Sequence, residues 1–257
     1  ATNGTELSTE WSKSIVNECN KIKKDISSEH IKTRKDLRSL SFVTIDGKNA
    51  KDFDDAVYAE ESSDGFHLYV AIADVSEYVL QGSSLDKEAF SRATSVYFEK
   101  KVIPMLPELI SNKLCSLRPN EDKLVLTCEI YLNKEGDIKS FEFFKSVICS
   151  KNRLTYDEVE KFYQKGQAAL PKDIVSNLST LKKIHGLRKK IREERKAIDF
   201  HLPEYRPVGK DNKIIKFKSI SHLLANEVIE ESMILANICA AKFSKQLKKP
   251  IPFRHHD

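Results

Sequence analysis

What this 257-residue chain lacks narrows its class before any motif is read. No apolar run approaches the about 18–20 residues that span a bilayer, so no membrane partner is expected. The five cysteines, Cys19, Cys115, Cys128, Cys149 and Cys239, are odd in number, widely spaced and without a C-x-x-C pair. That excludes a disulfide framework or a zinc ribbon and fits a reducing, cytoplasmic setting. The opening ATNGTELSTEW has neither a basic-then-apolar leader nor an initiator Met, which suggests processing or cutting. No internal repeat or low-complexity tract occurs. The net charge of +5 permits an acidic partner such as nucleic acid but excludes histone-like behaviour. What remains is 40% hydrophobic and 32% charged, the composition of a chain that folds, at a length for one large domain or two small ones.

Periodicity divides the chain. Residues 7–27 read as a helix capped by Thr9, with Trp11, Ile15, Val16, Cys19 and Ile22 on one face. A polar linker follows. From Phe42 the pattern is of strands: SFVTI, then DAVYAEE and FHLYVAIADV as a hairpin around residues 62–65. A second hairpin, LVLTCEIYL with IKSFEFFKSVI, turns at residues 133–137. Helices are expected at 86–94, briefly after Pro107, at 156–163 capped by Thr155, at 172–197 and at 220–247. In the last, Leu224, Val228, Ile229, Met233, Ala236, Asn237 and Ala240 share a face. The fold class is α+β, a mixed, largely antiparallel sheet flanked by long helices.

The informative chemistry lies in TIDGKNAKDFDDAV, where Asp46, Asp52, Asp54 and Asp55 fall within ten positions. Two unit charges 4 Å apart repel by about 4 kcal/mol at an effective dielectric near 20. Gathered in one pocket, such carboxylates hold their protons unless a cation sits among them. Mg²⁺ prefers carboxylate oxygens, with water and substrate phosphate completing its shell; Mn²⁺ is the alternative. Asp46 closes an apolar strand and Gly47 permits a sharp turn, while Asp54 and Asp55 open the next strand. Read alone, the segment is either this site or a solvated acidic loop. A metal phosphatase using Asp52 as nucleophile is a rival, although no apolar strand leads into Asp52.

TIDGKNAKDFDDAV and HLYVAIADVSEYV together resemble the catalytic domain of the ribonuclease II/ribonuclease R family of processive 3′-to-5′ exoribonucleases. The likeness continues in order through RATSVYFEKKVIPMLPELISNKLCSL, NRLTYDEV, VIEESMILANICAAKF and PIPFRHHD, and TSVYF with RLTYDEV is closest to the ribonuclease R branch. The resemblance implies a Mg²⁺-dependent hydrolase that shortens single-stranded RNA and releases nucleoside 5′-monophosphates. It implies metal ligation by Asp46 and Asp55 with Asp52 in support, and Asp54 as the carboxylate most needed for hydrolysis. It implies base stacking by Tyr97 and Phe200, and a contact to the terminal ribose by Tyr156 with Glu230, or alternatively Glu231. Arg254 and His256 would contact phosphate, and Glu108 and Asn112 would line the channel. Without the resemblance, Tyr97 reads as a hairpin tyrosine, and both glutamates as solvated or one of them as buried with a partner. The basic run from Lys182 to Lys196 reads as a solvated helix face before it reads as an RNA track.

The family's later Thr-Ser-Pro-x-Arg-Arg-Tyr block, and the cold-shock and S1-type barrels that flank its catalytic domain, do not occur in this sequence. The expectation is a linker helix over 1–35, followed by the N-terminal part of a catalytic domain over 36–257. Such a chain would hold the acidic half of a site and degrade RNA poorly alone. A non-catalytic RNA-binding module is the alternative.

Overall fold

Seven strands make one sheet whose order is not the order of the chain. The computed structural model describes residues 10–23, 25–98, 101–166, 169–196, 204–210, 213–220, 222–248 and 250–253. Helices α1 (Lys13–Lys21) and α2 (Ser28–Lys32) precede strands β1 (Lys35–Asp36), β2 (Val43–Asp46), β3 (Asp55–Ser62) and β4 (Gly65–Ala73). Helix α3 (Ser84–Arg92), the two-residue strands β5 (Val96–Tyr97) and β6 (Val102–Ile103), and a π turn at Ile110–Leu114 lead to β7 (Asp122–Asn133) and β8 (Ile138–Cys149). Then come β9 (Asn152–Thr155), α4 (Tyr156–Lys165), α5 (Lys172–Glu194), the hairpin β10 (Glu204–Lys210) with β11 (Lys213–Ile220), and α6 (Leu224–Gln246). The sheet runs β1-β8-β7-β4-β3-β2-β9, parallel only where β1 meets β8 and β2 meets β9. It is the mixed, mostly antiparallel sheet with helices that the alternation predicts.

Because successive strand residues face opposite sides, the sheet builds two cores. Val43, Ile45, Val57, Ala59, Leu68, Val70 and Ile130 pack with residues of α4, α5 and α6. Ala56, Tyr69, Ala71 and Val125 pack on the other face with Ile15 and Cys19 of α1 and Leu85 of α3. Fully burying each large aliphatic side chain contributes about 1.5–3 kcal/mol. The β3–β4 turn needs Gly65: its φ is +148°, and a Cβ would lie 2.0 Å from the Leu132 carbonyl oxygen.

Polar groups join the layers. Asn177 of α5 accepts from the Ala59 N–H at 2.9 Å and donates to the Ser41 and Val57 carbonyls. It satisfies the edge of β3 that β2 leaves bare beyond Val57. Glu231 of α6 is buried and pairs with Arg188 and Arg192 of α5, both at 3.1 Å. Arg188 also donates to the Gly136 carbonyl in the β7–β8 turn. At the entrance to the sheet, buried Arg34 bridges Asp74 at 2.7 Å and Glu77 at 2.6 Å.

Several expectations shift. The first helix is shorter than 7–27: Ser12 caps it, the chain turns extended at Ile22, and Val16 is exposed. Thr9 lies outside the described residues. The polar linker contains α2, held by a capping box between Ser27 and His30. On α6 Val228, Ile229 and Ala236 of the expected face are buried and Leu224 and Met233 pack against the core, but Asn237 is exposed, and Ala225, Glu231, Ser232, Leu235 and Cys239 join the buried side. Hydropathy missed the two polar ones because Ser232 donates to the Val228 carbonyl and Glu231 is ion-paired, so both can be buried. The basic run is not simply a solvated face: Arg188 is 5% exposed, and Lys183 and Lys189 face Glu61 and Glu227. The β10–β11 hairpin had no strand signal strong enough to read, and Pro207 stands inside it. Cys19, Cys115, Cys128, Cys149 and Cys239 are all free, as their spacing implies. Among the described residues no helix is long and apolar enough to cross a membrane.

Candidate active site

The acidic segment lies where β2 ends and β3 begins, at one edge of the sheet. Strand β2 runs antiparallel to β3 from the Val43–Val57 pair, so Asp46 at the end of one and Asp55 at the start of the other lie at the same end of the sheet. The parallel β2–β9 register sets Asp46 beside Thr155, which caps α4 by accepting from the Glu158 N–H. Tyr156, the next residue, therefore begins its helix against the carboxylates. Gly47 is not needed for the turn's conformation: its φ is not positive, and a Cβ there would meet nothing.

The carboxylates feel one another. Burial, then the charge of Asp55, pushes the Asp46 carboxyl up to about 7, with Asp52 and Asp54 adding to it and Arg153 opposing. Burial, then Asp54, raises Asp55 to about 6. Asp54 keeps surface open to solvent, yet desolvation and then Asp52 raise it as well. Burial raises the Tyr156 hydroxyl to about 12, followed by Asp46, Asp55 and Glu230. The structure thus brings Asp46, Asp52, Asp54, Asp55, Tyr156 and Glu230 into one electrostatic neighbourhood. Among the described residues no group of three or more His, Cys, Asp or Glu side chains is placed to hold a metal ion by itself. A hard divalent cation that draws one or two ligands from the protein and the rest from water and phosphate needs no such group. Carboxylates that hold protons near neutrality for want of a counter-charge fit a hard divalent cation.

Tyr97 also reaches the cluster. Tyr97, on the short β5–β6 hairpin, is 66% exposed, and its hydroxyl donates to Asp52 at 3.2 Å. Glu230 is exposed, 3.6 Å from His222, while its neighbour Glu231 is buried in the ion pair with α5. Asn112 sits in the π turn, where its carbonyl accepts from Arg118. Phe200, Arg254 and His256 lie outside the described residues. Asp52 stands in the loop between β2 and β3, not at the end of a strand, which gives the phosphatase reading no support. An open depression of about 540 Å³, lined by Asp36, Arg38 and Asp122 among others, is at the opposite, β1–β8 edge and touches none of these residues.

Two side chains that the sequence did not mark also touch the loop. Ser116 donates to the Lys51 carbonyl at 2.8 Å and accepts from the Phe53 N–H at 3.2 Å. Arg153 of β9 donates to the Gly47 carbonyl at 2.7 Å and to that of Lys48 at 2.9 Å. A lone serine or arginine carries no spacing signal, so only the structure finds them.

The chain is similar to known proteins over most of its length. The family model described as the RNB domain matches residues 34–257. Ribonuclease R of Escherichia coli K12 is 42% identical over 252 residues, covering 96% of this chain and 31% of that protein. Ribonuclease R of Aquifex aeolicus is 39% identical, covering 98% of this chain and 36% of that protein. A solved structure of Mycoplasma genitalium RNase R in complex with ribose methylated single-stranded RNA superposes with a TM-score of 0.94 at 34% identity, covering all of this chain and 40% of that one. The chain therefore spans about a third of the length of the curated relatives it matches.

Proposed function

The chain belongs to the RNB-domain family, and from that membership we propose that it carries the acidic part of the active site of a 3′-to-5′ hydrolytic exoribonuclease acting on single-stranded RNA. The observation that carries the reading is the gathering of Asp46, Asp54 and Asp55, each raised by burial and by a neighbouring aspartate, Asp52 in the case of Asp54. Asp46, Asp52 and Asp55 would hold Mg²⁺, with Mn²⁺ as the alternative. When bound, a divalent ion supplies charge neutralisation at a phosphate and a lowered pKa for water.

The remaining work belongs to side chains. Asp54, open to solvent and beside the ligands, takes the proton of the attacking water. The water oxygen bonds to the last phosphorus as the bond to the preceding 3′ oxygen breaks. The freed 3′ oxygen takes up a proton, leaving an RNA one residue shorter and a nucleoside 5′-monophosphate. Tyr97 offers an exposed ring at the mouth of the loop. Stacking there contributes about 1–3 kcal/mol per base and ignores base identity. Tyr156 and Glu230 face the position of the terminal sugar, where contact to a 2′-hydroxyl separates RNA from DNA. Phe200 would stack on a second base and Arg254 would meet phosphate. In the whole protein, cold-shock and S1-type barrels would accompany this segment, in the cytoplasm.

The test grafts residues 34–257 in place of the matching segment of Escherichia coli Ribonuclease R and supplies 5′-labelled single-stranded RNA with Mg²⁺. The reading predicts a descending ladder that disappears in Asp54→Asn. A folded graft that leaves the RNA intact, or an Asp54→Asn graft that still makes the ladder, contradicts it.

A further inference from the structure

The acidic loop does not hold its own shape. Between Asp46 and Asp55 it has one internal backbone hydrogen bond, Ala50 N–H to the Gly47 carbonyl. Apart from the Lys51 N–H, which donates to the Asp52 carboxylate at 3.3 Å, its other anchors come from elements distant in sequence. On one side Ser116, fully buried, bonds both Lys51 and Phe53, and the Leu117 N–H donates to the Phe53 carbonyl at 2.8 Å. Asp52 is the residue between those two attachment points. On the other side Arg153 reaches the Gly47 and Lys48 carbonyls with one Nη, immediately after Asp46. Its guanidinium also lies over the Phe53 ring, 5.4 Å from the centroid. Phe53 is 8% exposed and separates Asp52 from Asp54.

Resting on the reading of this loop as a divalent-cation site, we propose that Ser116 and Arg153 are positioning residues that clamp the loop from opposite sides and set the spacing of the ligands Asp46 and Asp52, and of Asp54 beside them. Neither touches the reacting atoms. Arg153 fixes the turn that follows the first ligand, and Ser116 fixes the stretch that carries Asp52 and Asp54. A serine suits its position because one hydroxyl can donate to a carbonyl and accept from an N–H at once. An arginine suits its position because its planar fork lies flat on an aromatic ring while its nitrogens point at carbonyls; a lysine offers neither shape. The Arg153 Nε is buried with no partner, so the side chain is held there by its terminal contacts and by the ring.

The sign of one effect separates this role from plain electrostatics. If Arg153 were only a nearby positive charge, removing it would strengthen cation binding. As a clamp, its removal must weaken binding although a repelling charge has gone. The experiment titrates Mn²⁺ into the chain by electron paramagnetic resonance at a temperature where circular dichroism shows every variant folded. The variants are Ser116→Ala, Arg153→Met, Arg153→Lys and Asp46→Asn. Loss of a residue that orients metal ligands typically weakens affinity about 10–100-fold. The expected result is weakening of about 10-fold for Ser116→Ala and for Arg153→Met, with Arg153→Lys failing to restore affinity. Unchanged affinity in Ser116→Ala, tighter binding in Arg153→Met, or full rescue by Arg153→Lys overturns the clamp while leaving the metal site standing. A wild-type chain that binds no Mn²⁺, or binds it no better than Asp46→Asn, overturns the site itself and the clamp with it.

Discussion

Adjacent glutamates on α6 should fail in opposite ways. Glu231 is 1% exposed, and its carboxylate meets Arg188, itself buried, and Arg192. In Glu231→Ala the Arg188 guanidinium keeps the Gly136 carbonyl but loses its counter-charge; Arg192, about a quarter exposed, can turn to water. Breaking one side of such a buried pair costs about 3–5 kcal/mol. At about 2–4 °C per kcal/mol for a chain of this size, the melting temperature should fall by about 6–20 °C. Glu230→Ala removes an exposed carboxylate near an exposed histidine and should stay within about 0.5 kcal/mol, a shift under about 2 °C. In the Ribonuclease R graft the pattern reverses: Glu230→Ala should lower the preference for RNA over DNA, and Glu231→Ala, assayed below its melting point, should not. The double variant Glu231→Met with Arg188→Met should regain most of the lost stability, because the stranded charge is gone. Thermal melts by circular dichroism decide it. A Glu231→Ala melt within 2 °C of wild type, or an equal loss in Glu230→Ala, refutes the assignment of one glutamate to the core and the other to the site.

Three further outcomes follow from named contacts. Arg34→Ala leaves buried Asp74 with Lys145, at 3.5 Å, as its cation, while Glu77, a quarter exposed, keeps Lys145 at 3.2 Å, and should cost about 1–3 kcal/mol in urea unfolding; an unchanged urea midpoint contradicts it. Gly136→Ala places a Cβ 2.8 Å from that of Leu187 at a φ of +92° and should cost about 1–3 kcal/mol, read as a lowered urea midpoint. The pH dependence has a definite sign. Asp46 and Asp55 titrate near 7 and 6 when folded, above their unfolded range near 4, so the folded state binds the extra protons. Their contribution is therefore most favourable below about pH 4 and declines as pH rises towards 7. Melts in chelator from pH 5 to 8 should fall less steeply in Asp46→Asn than in wild type, and Mg²⁺ should raise the wild-type melting temperature most at pH 8; equal slopes refute it.

How much of this was legible depended on how each residue is held. The two hairpins, α4 with its Thr155 cap and the acidic segment are local patterns: alternation, a capping signal and four aspartates within ten positions. They read from the sequence because their causes lie within a few residues of one another. The orientation of Glu230 and Glu231 did not, because it is fixed by Arg188 some forty residues earlier, on another helix. The α6 face was read in part: Val228, Ile229 and Ala236 are buried as their spacing implies, but burying Glu231 and Ser232 requires partners that hydropathy cannot see. Gly47, read as permitting a sharp turn, is not required for one, whereas Gly65 is required by the approach of the neighbouring strand. Ser116 and Arg153 were invisible because their role is a contact across 63 and 106 positions.

The central claim, that these carboxylates direct water to the terminal phosphodiester, is tested most directly by isotope. The Ribonuclease R graft is given single-stranded RNA in H₂¹⁸O, and the products are weighed by mass spectrometry. The account predicts nucleoside 5′-monophosphates carrying one ¹⁸O, and their loss in Asp54→Asn. Nucleoside diphosphates, 3′-monophosphates, or an unchanged yield in Asp54→Asn would contradict it.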